Sequence, residues 1–154
     1  MLALVFQVGD DRLALDVRGI HEVTPRVRLH ALTCGPSWLA GTLVYRGRVV
    51  PILDLHRLAG LGDCPVLLNS RIILVPQPGG EGGQLLGLLA SEVSDLQEVD
   101  EGGARRTHFA EDGAPDFGAA LVDRKGVLRL LDLERLLPDS MRHQLPGFSR
   151  GQSP

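Results

Sequence analysis

One motif occurs twice in this chain, and that recurrence limits the fold more than any other feature. Residues 46–58 read Arg-Gly-Arg-Val-Val-Pro-Ile-Leu-Asp-Leu-His-Arg-Leu, and residues 125–136 read Lys-Gly-Val-Leu-Arg-Leu-Leu-Asp-Leu-Glu-Arg-Leu. Each copy is a basic residue and a glycine, then an apolar run, then an aspartate before a short amphipathic stretch. Preceded by Thr42 to Tyr45, the first copy predicts a strand, a reversal at Arg46-Gly47-Arg48 and a returning strand over Val49 to Leu53. Asp54 is placed to cap a helix over Leu55 to Ala59, which Gly60 ends. The hairpin tip then presents Arg46.

The rest of the chain repeats around this motif. Val5 to Val8, the turn Gly9-Asp10-Asp11 and Arg12 to Val17 alternate as a hairpin, with a further strand at Ile20 to Val23. Ser37 to Ala40 reads as one turn that sends Trp38 inward. After the polar break Gly60 to Asn69 come a strand at Ser70 to Val75, a glycine-rich turn at Pro76 to Gly83 and a strand at Gln84 to Ala90. A shift of about 73 positions lays Leu13 on Leu86, Leu15 on Leu88, Ile20 on Val93 and Val23 on Leu96. A polar loop over Asp100 to Asp116 precedes the second motif, and Pro138 stops it. Short strands cut by Gly/Pro turns and closing on a turn of helix suggest two small barrels in tandem, packed side by side.

Composition removes several function classes. With 44% hydrophobic and 23% charged residues the chain is globular, and at 154 residues it is large enough for one domain or two subdomains sharing a core. A net charge of -3 speaks against nucleic acid, so Arg26, Arg28 and Arg105-Arg106 read as solvated loop charges. No apolar run reaches the roughly 18 residues of a membrane span, and Met1 leads into Leu2 to Phe6 without a basic leader. A cytoplasmic protein without membrane insertion is expected. Cys34 and Cys64 have no paired spacing and read as reduced structural thiols.

The candidates for chemistry are weak. Asp54 and His56 put a carboxylate two residues before an imidazole, but Asp54 is already spoken for as a cap, as is Asp132 in the second copy. Asp10-Asp11 belongs to a turn. No nucleophile, metal-ligand set or oxyanion donor accompanies them. Gly79 to Gly83 precedes a strand, where a phosphate loop needs a helix. The five histidines are scattered, at surface or satisfied positions by expectation. Neither catalysis nor a cofactor nor a metal is indicated. Tyr45, Arg46 and Gly47 stand out instead as an anchor on an ordered tip.

Taken together, Phe6-x-x-Gly9-Asp10, Ile20-x-Glu22-Val23, Pro36-x-Trp38-Leu39-x-Gly41 and Tyr45-Arg46-Gly47-x-Val49-Val50-Pro51-Ile52-Leu53-Asp54-Leu55 resemble the CheW family of chemotaxis adaptors over about residues 2–137. The resemblance implies an all-β fold with short helices: two SH3-like five-stranded barrel subdomains on a shared hydrophobic core. It implies one domain over residues 1–137, its two subdomains intertwined and its second repeat starting near 70, followed over 138–154 by a short helix and a flexible tail. It further implies a non-catalytic adaptor that couples the cytoplasmic tip of methyl-accepting receptors to the regulatory domain of a CheA-type histidine kinase, at receptor arrays of the inner membrane.

By the same resemblance, Arg46 and Gly47 are the partner-contacting turn, flanked by Tyr45. Val23 and Leu43 line an apolar groove for a receptor helix, and kinase contact falls on the second barrel around Leu88 and Val93. The chain departs from the family where Val44-Tyr45 replaces an Asn-Leu pair and where Ala90-Ser91 replaces an acidic residue. An adaptor of a non-flagellar pathway, such as pilus or surface sensing, is the alternative. Further off stand a small enzyme using Asp54 and His56 and a ligand-binding module with its cleft between the halves.

Overall fold

A computed structural model describes residues 1–105 and 114–145. The Arg106 and His108 charges and the tail from Gly147 lie outside the described residues. Ten strands run in chain order: β1 (Leu2–Val8), β2 (Asp11–Asp16), β3 (Glu22–Pro25), β4 (Leu39–Tyr45), β5 (Arg48–Asp54), β6 (Arg71–Pro76), β7 (Leu85–Ala90), β8 (Leu96–Glu98), β9 (Ala119–Asp123) and β10 (Gly126–Leu130). Three single-turn helices accompany them, α1 (Leu55–Leu58), α2 (Leu133–Leu136) and α3 (Asp139–Arg142). No helix among the described residues is long and apolar enough to cross a membrane.

The strands form two five-stranded sheets, in the orders β8-β1-β2-β10-β9 and β3-β6-β7-β5-β4. Repeat and sheet do not coincide. The repeats run β1 to β5 and β6 to β10, yet each sheet takes its central hairpin from one repeat and its other three strands from the other. Exchanging the equivalent strands, β1 for β6 through β5 for β10, turns one sheet order into the other. The tandem arrangement suggested by the repeat is therefore replaced by mutual exchange of hairpins. Parallel pairing makes the joint: Leu130 opposes Ala14 between β10 and β2, and Ile52 opposes Gly87 between β5 and β7.

Each sheet also closes. Beyond edge strand β3 the chain crosses to the opposite edge, where His30 and Thr42 exchange backbone hydrogen bonds of 2.8 and 2.9 Å. Beyond β8, Arg105 and Ala120 do the same at 2.7 Å in both directions. Closure leaves few free strand edges.

Alternation along the exchanged hairpins explains why they sit centrally. Leu4, Phe6 and Val8 on β1 and Leu13 and Leu15 on β2 face a core shared by the two sheets, with Ile73, Val75, Leu86, Leu88 and Ala90 facing it from β6 and β7. The intervening Ala3, Val5 and Ala14 fill the interior of the first sheet. Ile72, Leu74 and Leu89 fill that of the second, with Val50 and Ile52. Both faces of these hairpins are thus buried, which is why Leu2 to Phe6 and Ile72 to Val75 read as near-continuous apolar runs. Each fully buried Leu or Ile contributes about 1.5–3 kcal/mol. Trp38, Leu55, Leu136 and Leu137 complete the shared core.

Candidate docking surface

Arg46 and Gly47 form the two-residue turn between β4 and β5, both with positive φ, 49° and 77°. This is the primed turn whose twist matches that of the flanking strands, with Tyr45 opposite Arg48. Glycine takes the second position without strain, and arginine takes the first at a cost.

Neighbours fix the tip from both sides. The Tyr45 hydroxyl donates to Glu22 Oε1 at 2.9 Å, joining β4 to β3 across the closure of the sheet. The Arg46 guanidinium lies 5.2 Å from the centroid of the Tyr45 ring and 3.9 Å from the same Glu22 oxygen, and its side chain is still 77% exposed. His21 meets the Tyr45 ring edge-on at 5.8 Å. Arg48 donates to the carbonyl of Gly82 at 2.9 Å, anchoring the far strand. Partial desolvation, with the Glu22 carboxylate beside it, pushes the Tyr45 phenol above its ordinary pKa. The tip therefore offers a cation, an aromatic face and a neighbouring carboxylate on a stiff support.

The other sequence-derived residues disperse. Val23 is exposed on β3 opposite Ile73. Leu43 is half-buried and packs on the interior of the second sheet rather than between subdomains. Val93 is half-buried against the shared core, its amide bonded to Asn69 O at 3.0 Å. Leu88 has no exposed surface. As the repeat partner of Leu15 it points into the shared core, so its part is packing and its side chain has nothing to offer a partner.

Two pairs escaped the sequence reading. Val44 and Val49 sit opposite each other just below the first tip, 61% and 65% exposed. Val122 and Val127 occupy the equivalent place on β9 and β10, 77% and 52% exposed. Parity could have found them: Val50 and Ile52 point into the sheet, so Val49 must point out.

Asp54 and His56 are built into the fold. Asp54 Oδ1 accepts from the amides of His56 and Arg57 at 2.9 and 3.2 Å, and Oδ2 accepts from the Cys64 amide at 3.0 Å. Asp132 caps α2 through Glu134 N at 3.0 Å. His56 is buried and its Nε2 accepts from the Gly9 amide at 3.2 Å, which ties α1 to the β1–β2 turn. Burial lowers its pKa, opposed by the Asp54 charge. Its Nδ1 has no hydrogen-bond partner, so this histidine departs from the expectation of a surface or satisfied ring. Cys34 is exposed and Cys64 buried; burial pushes the Cys64 thiol up to about 11.

A family model described as CheW-like domain matches residues 2–141. The chain is 27% identical over 135 residues to Protein FrzA of Myxococcus xanthus, covering 86% of this chain and 82% of that one. It is also 27% identical over 141 residues to the probable chemotaxis protein CheW of Rhizobium etli, covering 89% and 87%. The scaffolding protein TtCheW of Thermoanaerobacter tengcongensis has the same fold, with a TM-score of 0.75 at 24% identity over 88% of this chain and 86% of that one.

Proposed function

The chain belongs to the CheW-like family, non-catalytic coupling adaptors of bacterial chemosensory signalling, and from that premise we propose where it docks. The β4–β5 tip, Tyr45, Arg46 and Gly47, with the exposed Val44 and Val49 beneath it and Val23 at its flank, receives the cytoplasmic hairpin tip of a methyl-accepting receptor as a helix laid against an apolar surface, while Leu43 supports that surface from within the sheet. The regulatory domain of a CheA-type kinase meets the second barrel on the side of Val93. Residues 1–137 act as one unit, followed by the short helix α3, and the work is done in the cytoplasm at receptor arrays beside the inner membrane.

The observation that carries this reading is the tip itself. Arg46 accepts an unfavourable backbone conformation and stays exposed while Tyr45, Glu22 and Arg48 hold its surroundings in place. A residue kept there for stability would be Asn or Gly. Titration of the full chain against receptor hairpins and kinase tests the assignment. Arg46→Ala should weaken receptor binding at unchanged circular dichroism while kinase binding persists; undiminished receptor binding refutes it.

Tyr45 favours service in a non-flagellar pathway. Where the family carries Leu, this chain places a hydroxyl bonded to Glu22, which retunes polarity at the contact. Tyr45→Leu should shift preference toward receptor tips of flagellar systems, and an unchanged preference removes the reading.

A further inference from the structure

Behind the docking hairpin, where β5 passes into α1, three side chains of different donor type converge. Asp54, His56 and Cys64 each offer a ligand atom within 4.8 Å of the other two, and the residues are 1%, 5% and 2% exposed. The local fold causes this. Asp54 ends the strand, His56 follows in the first turn of the helix, and the loop returns so that the Cys64 amide reaches Asp54 Oδ2.

Hydrogen bonding leaves two of the three donors underused. His56 Nδ1 is buried without a partner, an unfavourable state for a polar atom taken out of water. Cys64 Sγ has one long contact of 3.7 Å, to its neighbour's carbonyl. Asp54 Oδ2 accepts one amide, with Arg57 Nε at 3.5 Å, and a carboxylate oxygen has a second lone pair to give. A mixed oxygen, nitrogen and sulfur set suits Zn2+, whose bonds of about 2.0–2.3 Å require the three atoms to draw closer together than they stand here. Of the three, Asp54 borders a cleft of about 270 Å³ that is also lined by Asp63 and by Arg26, Arg28 and Arg57.

We propose that Asp54, His56 and Cys64 form a binding site for Zn2+ or a cation of like chemistry, and that filling it releases the β1–β2 turn from α1. The coupling follows from the ring. With Nε2 accepting from Gly9 N–H, the neutral imidazole carries its proton on Nδ1. A cation bound at Nδ1 sends that proton to Nε2, where it faces the Gly9 N–H; two donors cannot bond, so the link opens. The thiol proton leaves to solvent as the thiolate binds. One cation enters, one proton departs and the ring proton changes nitrogen.

Co2+ serves as the probe, on the full chain carrying Cys34→Ser to remove the exposed thiol. The expected result is a near-ultraviolet thiolate-to-cobalt charge-transfer band that Zn2+ abolishes by displacement, together with faster hydrogen exchange at the Gly9 amide on Zn2+ addition. Cys64→Ser should remove the band, and His56→Gln should weaken Co2+ binding at least about tenfold. Should either variant fail to fold, protection of Cys64 from alkylation by Zn2+ in the Cys34→Ser protein decides. No charge-transfer band, a band that survives Cys64→Ser, or no protection overturns the site. Binding with an unchanged Gly9 amide overturns the coupling.

Discussion

The two hairpins that carry the repeated motif, β4–β5 and β9–β10, occupy equivalent places and are held differently. In the first, both strands have seven residues, and β5 is buried from Val50 to Asp54. Its Val50 and Ile52 fill one sheet while Leu53 reaches the shared core. In the second, both strands have five residues and Leu128 alone is fully buried. The interior beneath it is built from Ala3, Val5, Ala14, Val99 and Leu128, a smaller set than Val50, Ile52, Cys64, Ile72, Leu74 and Leu89. The second hairpin adds an ion pair to this thinner packing: Arg12 on β2 bonds Asp123 at 2.5 Å, and Asp123 also receives the Lys125 amide at 2.8 Å. A duplicated sequence can thus keep one topology while its halves are packed to different depths.

The largest effect that would test this contrast is core truncation at matched positions. Ile52→Ala should cost about 3–4 kcal/mol, and its counterpart Leu130→Ala, half-buried, about 1–2 kcal/mol. Urea unfolding at constant slope reads both, and equal costs would abolish the distinction. Gly87→Ala comes next. A methyl there meets Ile52 Cδ1 and Ile72 Cγ2, so overpacking of about 1–3 kcal/mol is expected. Its counterpart already is Ala, at position 14, and a Gly87→Ala variant of unchanged stability would mean that the two interiors are equally slack.

A smaller effect of opposite sign is expected at the first tip. Arg46→Asn should raise stability by about 1 kcal/mol, because Asn tolerates positive φ better, while weakening receptor binding. A lower melting temperature would show that the contacts to Tyr45 and Glu22 outweigh the backbone cost. The smallest effect concerns pH. The Arg12 guanidinium, helped by the Lys125 amide, holds Asp123 below the usual carboxylate range. Its stabilisation is complete above about pH 4, the ordinary aspartate value, and is lost as pH falls through the depressed one. Asp123→Asn should flatten that part of the pH–melting profile, and an unchanged profile would remove the ion pair from the account.

Much of this was legible in the sequence because it is local. The turn at Arg46-Gly47, the cap at Asp54, its echo at Asp132 and the shift that superposes Leu13 on Leu86 all follow from neighbours in the chain. The strand expected from Ile20 starts at Glu22, since Asp16 caps a single 3-10 turn over Val17–Gly19 first. Hairpin exchange was not legible: the repeat records which strands are equivalent, and says nothing of which copy each pairs with. The same limit hid Leu88, whose burial depends on the opposing sheet, and the unmet Nδ1 of His56, which depends on Gly9 and Cys64 arriving from distant segments. Outward-facing valines are hidden for another reason: a β-branched residue signals a strand whichever face it takes, and only its parity with Val50 and Ile52 gives the face.

Exchange of the central hairpins also bears on how the chain can be divided. A cut in the loop between α1 and β6 separates two pieces, each holding three strands of one sheet and the middle of the other. Neither can bury its own hairpin on both faces, yet each supplies what its companion lacks. The two fragments, mixed, should therefore reconstitute one another, and either alone has a partner of the right shape only in its own kind. Such mutual dependence makes the whole cooperative across a boundary where a tandem pair could have come apart one half at a time.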